Sequence, residues 1–211
     1  MEPMTLAGTY TDALGTDPVS WTIATSERWP GRFEVAGVVR GVRVSGFHVG
    51  CLETEEPSRA LSVDSTGELV HCVLSVEVPT VVAGAGPAPG PLTLEFRLAG
   101  TGQEPVVRAG LTVNGIEYAH EEQEILELVL GEVARGLLPL RWECCLTCLL
   151  SDYSPDGVDV MGMRCHRGAR SEYLAVRSKR EYRGVPVTEE VPEFYRCAAY
   201  EPRVPGTGYR G

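Results

Sequence analysis

Leu92-Thr93-Leu94-Glu95-Phe96-Arg97-Leu98 alternates without a break between apolar and polar side chains. Successive residues of a β-strand point to opposite faces, so Leu92, Leu94, Phe96 and Leu98 share one face while Thr93, Glu95 and Arg97 share the other. A strand of that kind belongs to an antiparallel sheet with one side on the core and one on solvent. Toward the C-terminus, Leu111-Thr112-Val113 and Ile116-Glu117-Tyr118 flank Asn114-Gly115, a pair that supplies the positive φ angles of a type I′ hairpin turn. Toward the N-terminus, Trp21–Ala24, Arg32–Val44 and Leu69–Val78 are rich in Val, Leu, Thr and Phe, with Gly, Pro, Asp and Ser clusters between them. Ala83–Pro91 has too much Gly and Pro for a packed element and predicts a surface loop. Residues 1–118 thus read as a β-rich lobe.

The period then changes. His120 to Arg135 predicts the one principal helix, with Glu121, Glu122 and Glu124 at the positive end of its dipole. Ile125, Leu128, Val129 and Glu132 lie along one stripe, and Leu126, Leu130 and Val133 widen it. Arg135 and Gly136 are the cation and glycine that commonly close a helix. Further on, Leu138–Leu150, Val158–Cys165 and Tyr173–Val176 read as strands, and Ser154-Pro155-Asp156-Gly157 as a turn. The expected fold is α+β: a mainly antiparallel sheet, one principal helix and a small C-terminal lobe over residues 119–211, packed as a single unit.

At 211 residues with 43% hydrophobic and 23% charged content, the chain has the composition of a globular domain. No apolar run reaches the length of a membrane-spanning helix. Met1–Gly15 lacks the basic start and apolar stretch of a secretory signal, so a cytoplasmic, thiol-reducing location is expected. The net charge of −10 is uneven: residues 140–211 carry 11 basic and 10 acidic side chains, leaving 8 basic and 19 acidic in residues 1–139. Such an acidic lobe repels nucleic acid and anionic membranes and suits a protein partner with a basic surface.

Four of the seven cysteines carry the chemistry. Cys145, Cys148, Cys165 and Cys197 read C-x2-C-x16-C-x31-C, and the first pair has the spacing that lets two thiolates of one turn reach the same cation. Four thiolates suit a structural Zn²⁺. Unligated core thiols and a Cys145/Cys148 redox pair are the alternatives. Cys144 reads as the spare, His166 as a possible substitute ligand, and Cys51 and Cys72 as core residues.

Catalytic motifs are missing: there is no G-x-S-x-G, H-E-x-x-H or P-loop. Gly206–Gly211 matches G-x-G-x-x-G, but no helix follows it, which excludes a dinucleotide site. His48, His71 and His120 are scattered; Asp152, Asp156 and Asp159 surround the Pro-Gly turn without the spacing of a calcium loop. Arg164, Arg167, Arg170, Arg177, Lys179, Arg180 and Arg183, with Tyr173 and Tyr182 between them, are interrupted by Glu172 and Glu181 and read as a salt-bridged face rather than a nucleic-acid site.

Cys145-x-x-Cys148, Ser151-Asp152-Tyr153-Ser154-Pro155, Cys165, Cys197 before Glu201-Pro202-Arg203, and the Pro205–Gly211 ending resemble a bacterial family of unknown function over about residues 90–211. The resemblance implies one metal site from the four cysteines and names no activity. It also raises the Tyr209-Arg210-Gly211 end as a segment docked beside the cysteines or offered to a partner. The resulting expectation is a binding or interaction protein, of accessory or immunity type, with a structural Zn²⁺. The alternative is a metalloenzyme holding its metal with fewer cysteines, or with His166, and Asp152 or Tyr153 at an open position.

Overall fold

In a computed structural model, β1 (Met4–Asp12) and β2 (Gly15–Thr25) form the first hairpin, pairing from Met4↔Ile23 to Asp12↔Gly15. The structure describes residues 1–55, 59–86, 88–100, 102–123, 126–156, 161–204 and 206–207. β3 (Phe33–Val39) and β4 (Val42–Gly46) follow, joined at Arg40-Gly41, where both residues have positive φ, and β5 (Glu53–Thr54) completes that edge. The chain then returns to the other side of β1 as β6 (Cys72–Val78). β7 (Val82–Ala83) leaves the sheet, and β8 (Leu92–Leu98), β9 (Val106–Val113) and β10 (Ile116–Gln123) continue it. The result is a nine-stranded antiparallel sheet in the order β10-β9-β8-β6-β1-β2-β3-β4-β5.

The alternation read from Leu92–Leu98 holds. Leu92, Leu94 and Phe96 have no exposed surface and Leu98 little, whereas Thr93 and Arg97 face out. The hairpin turn also falls at Asn114-Gly115, with φ of 53° and 79°. The same face of the sheet carries Leu6, Tyr10, Trp21, Val35, Leu74 and Val107 into one core.

Helix α1 (Leu126–Gly136) packs against β9 and β10. This corrects the expected helix over His120 to Arg135: His120–Gln123 are the last residues of β10, held by eight residue pairs in register with β9 from Ile116↔Val113 to Gln123↔Val106. Cross-strand hydrogen bonding outweighs the helical charge pattern there. Leu126, Val129, Leu130 and Val133 are buried, while Leu128, placed on the apolar stripe, is 52% exposed. Glu124 and Ile125 lie outside the described residues.

The C-terminal lobe is less strand-like than expected. Of Leu138–Leu150, only β11 (Arg141–Trp142) is a strand, paired with β7. β12 (Ser151–Asp152), β13 (Met163–Cys165) and, later, β14 (Glu189–Val191) make a small three-stranded sheet. Between β13 and β14, Tyr173–Val176 is not a strand: α2 (Arg170–Ala175) covers most of it, and α3 (Lys179–Tyr182) follows, capped by the Ser178 hydroxyl. The coarse architecture stands, a mainly antiparallel β-protein with few helices. No helix is long and apolar enough to cross a membrane among the described residues.

Candidate metal centre

Cys145 and Cys148 bracket a single 3₁₀ turn, Cys145–Thr147. Cys144 precedes it and is tied to its far end: the Cys144 N–H donates to Thr147 Oγ1 (3.4 Å) and the Thr147 N–H donates to the Cys144 carbonyl (3.1 Å). Cys144 Sγ also lies 3.9 Å from Thr147 Oγ1. The turn is stitched to the last part of the chain. Cys145 N–H donates to the Tyr195 carbonyl (2.8 Å), Leu146 N–H to Glu193 (2.9 Å) and Leu149 N–H to Glu201 (2.8 Å), and Cys148 bridges to Pro202. Cys165 reaches the same region on β13, opposite Ser151 and Glu189. Sheet pairing and these cross-links bring β13 and residues 193–202 against the cysteine-bearing turn.

The electrostatics follow from that convergence. Burial pushes the Cys145 thiol well above the ordinary range, and charge on Cys148, Cys144, Cys165 and Cys197 would push it further. Burial raises Cys144 to about 12 and also raises Cys165, against the pull of the Arg167 guanidinium 3.5 Å from its sulfur. Arg167 in turn pairs with Glu189, which also meets the N-terminal ammonium. All seven cysteines are free thiols. As the side chains stand, no three of His, Cys, Asp and Glu are grouped to hold a metal ion among the described residues. The donor set fits a thiophilic cation chemically: four reduced sulfurs, Cys145, Cys148 and Cys165 buried, within one another's electrostatic reach through Cys145.

His166 is committed elsewhere. Its Nδ1 lies 2.9 Å from the Pro186 carbonyl and its Nε2 3.0 Å from the Tyr182 hydroxyl, and its ring stacks on Tyr173 at 5.0 Å. Asp152 is buried, accepting from the Tyr173 hydroxyl (3.1 Å) and the Tyr153 N–H (2.8 Å). Asp156 pairs with Arg183, whose charge holds its carboxyl below the usual range, and Asp159 lies outside the described residues. Cys72 is a core residue; Cys51 is half-buried. His48 precedes a 3₁₀ turn, His71 precedes β6, and His120 is on β10. In the basic stretch, Arg167, Arg170 and Arg183 are ion-paired, and Tyr173 and Tyr182 are buried and so do not offer rings for base stacking. Pro205 and Gly208–Gly211 lie outside the described residues.

Sequence reasoning missed Glu193. It has no exposed surface, its Oε1 accepts the Gly162 N–H (3.0 Å), and burial raises its carboxyl to about 7. The neighbouring Val191-Pro192 and Phe194-Tyr195 were the available signal of an apolar setting.

A family model described as a family of unknown function (DUF6304) matches residues 4–151. The chain belongs to this family. The match takes in the N-terminal third, which the quoted motifs did not reach, and ends three residues after Cys148; Cys165, Cys197 and the Pro205–Gly211 ending lie beyond it. No curated protein and no solved structure matches the chain. The family region therefore comprises the nine-stranded sheet, α1 and the cysteine-bearing turn.

Proposed function

We propose that the protein is a binding protein whose C-terminal lobe is held by a structural Zn²⁺ on Cys145, Cys148, Cys165 and Cys197. The observation that carries this reading is the environment of Cys145. Its thiolate would be opposed by burial and by the other three sulfurs at once. A dication bound by them would add an attraction to each thiolate that outweighs their mutual repulsion and the cost of burial, and so favour deprotonation of all four. Lewis-acid chemistry is not needed for that role, because a closed four-sulfur site leaves no open position. The metalloenzyme alternative has less support, since His166 and Asp152 are both engaged in hydrogen bonds within the lobe. A partner with a basic surface is supported by the excess of 19 acidic over 8 basic side chains in residues 1–139; on the β10 edge Glu117 and Glu121 are already paired with Arg108 and Arg97.

The test is elemental mass spectrometry of the freshly purified protein beside Cys148→Ser. About one zinc per chain, lost together with thermal stability in the variant, is expected. Cobalt substitution should give intense thiolate-to-metal bands that added azide or cyanide leaves unchanged. A metal-free wild-type protein with the same melting curve before and after chelation would remove the metal from the account.

A further inference from the structure

Glu193 has no exposed surface, yet its carboxyl is poorly served with hydrogen bonds. Oε1 accepts the Gly162 N–H at 3.0 Å, and Oε2 has no hydrogen-bond partner. An ionised carboxylate seeks donors at both oxygens, so this setting suits the neutral acid better than the anion. Among the described residues, three elements face the group. The Tyr153 hydroxyl, just after β12, and the N–H groups of Gly162, just before β13, and of Glu193 itself favour the anion; Glu127 on α1 opposes it. None of these is a cation, and burial outweighs the donors.

When Glu193 ionises, something must let water reach it. Gly162 and Glu127 are fixed by the small sheet and by α1. Residues 193–203 contain no helix and no strand beyond the single bridge of Pro202 to Cys148. They lie as a strap over the cysteine-bearing turn. Its first residues are held there by two backbone bonds, Cys145 N–H to the Tyr195 carbonyl (2.8 Å) and Leu146 N–H to the carbonyl of Glu193 itself (2.9 Å). Further along, Leu149 N–H donates to Glu201 and Arg203 N–H to Thr147. The Arg196–Glu143 pair beside these bonds is partly exposed and adds little. Burial of Phe194 and Tyr195 supplies the rest of the hold. Detaching this segment hydrates Glu193 without opening the nine-stranded sheet.

We propose that Glu193 is a pH-operated latch: while its carboxyl is neutral the strap stays seated on the cysteine-bearing turn, and ionisation releases residues 193–195 into water. Release uncovers Phe194, Tyr195 and the turn at Cys145. The latch does not rest on the proposed zinc, because Glu193, the groups facing it and these backbone bonds are present without a metal.

Hydrogen exchange of the full chain, followed by nuclear magnetic resonance at pH 6 and 8 and corrected for intrinsic exchange rates, tests this in wild type and Glu193→Gln. The reporters are the Cys145 and Leu146 amides, whose acceptors are strap carbonyls; Leu94 and Phe96, paired on both sides in β8, report on the sheet. In the wild type, Cys145 and Leu146 should be less protected than Leu94 and Phe96. Their protection should fall about tenfold from pH 6 to 8, as a carboxyl at 4.5 when hydrated and about 7 when enclosed requires. Glutamine keeps the shape and cannot ionise, so Glu193→Gln should show no such fall. Protection unchanged with pH in the wild type, or an equal fall in both proteins, would overturn the proposal. So would Cys145 and Leu146 amides as protected as those of the sheet at pH 8, since the strap would then open only when the whole chain unfolds. The wild-type comparisons decide the matter even where the variant folds poorly.

Discussion

At the scale of single residues, the folded state of Glu193 holds its proton more tightly than an ordinary carboxyl. Burial is the main cause, and the charge of Glu127 on α1 adds to it, against the Gly162 N–H and the Tyr153 hydroxyl, which favour the anion. A carboxyl raised in the folded state, here from 4.5 to about 7, contributes its full stability below its unfolded pKa and loses it as pH rises through the folded value. Urea denaturation should show the wild type losing up to about 3 kcal/mol from this group between pH 5 and 8. Glu193→Gln should be free of that loss and the more stable protein at pH 8; parallel pH profiles would show that Glu193 is not the cause. Asp12 works in the opposite sense. Despite its burial, Arg40 holds its carboxyl below the usual range through contacts of 2.9 Å, and the same guanidinium reaches Asp17 at 2.7 Å. That Cys145 and Cys148 sit on one tight turn was legible because Cys145-x-x-Cys148 is a local pattern. The commitment of His166 to Pro186 and Tyr182 was not, because both partners are some twenty residues away or close to it.

At the scale of elements, the features read correctly were those whose cause is local. Asn114-Gly115 fixes its turn through backbone conformation alone, and Leu92–Leu98 announces its face by alternation. The errors came where a neighbour decides. His120–Gln123 is strand because β9 offers a continuous ladder, and Tyr173–Val176 mostly joins a short helix whose Tyr173 fills the satellite core beside Leu149, Leu150 and Tyr182. The packing around Trp21 shows the same dependence. Its ring lies flat enough against β1 and β3 that a Cβ at Gly8 would stand 2.0 Å from the Ser75 carbonyl and 2.8 Å from the indole, and one at Gly37 also 2.8 Å from the indole. The indole N–H donates to that same Ser75 carbonyl at 3.1 Å. Gly8→Ala therefore has no room in the central strands and should cost about 1–3 kcal/mol or more. Thermal melting followed by near-ultraviolet circular dichroism measures this; an unchanged melting temperature would show that β1 can shift away from β6.

At the scale of the whole molecule, one apolar cluster runs from the sheet through α1 to the cysteine-rich lobe, joining Trp21 and Phe96 to Leu126, Cys145, Met163 and Phe194. Lobes joined by one continuous cluster should unfold together, although the C-terminal lobe also has a smaller core of its own around Tyr173 and Tyr182. Tryptophan fluorescence, with Trp21 in the sheet and Trp142 in β11, and far-ultraviolet circular dichroism should give coincident urea transitions. Two separated transitions would mean that residues 119–211 fold as a unit of their own. Local pattern was enough for the β-rich N-terminal portion, the Asn114-Gly115 hairpin, a helix ending at Gly136 and the tight turn that carries Cys145 and Cys148, because alternation, turn chemistry and short spacings act between near neighbours in the chain. Where β10 gives way to α1, how the turn at Cys145 meets residues 193–203 and that Glu193 is shut away from water follow from tertiary contacts instead. Each of these depends on contacts between residues far apart in sequence, whose register and burial no local pattern records.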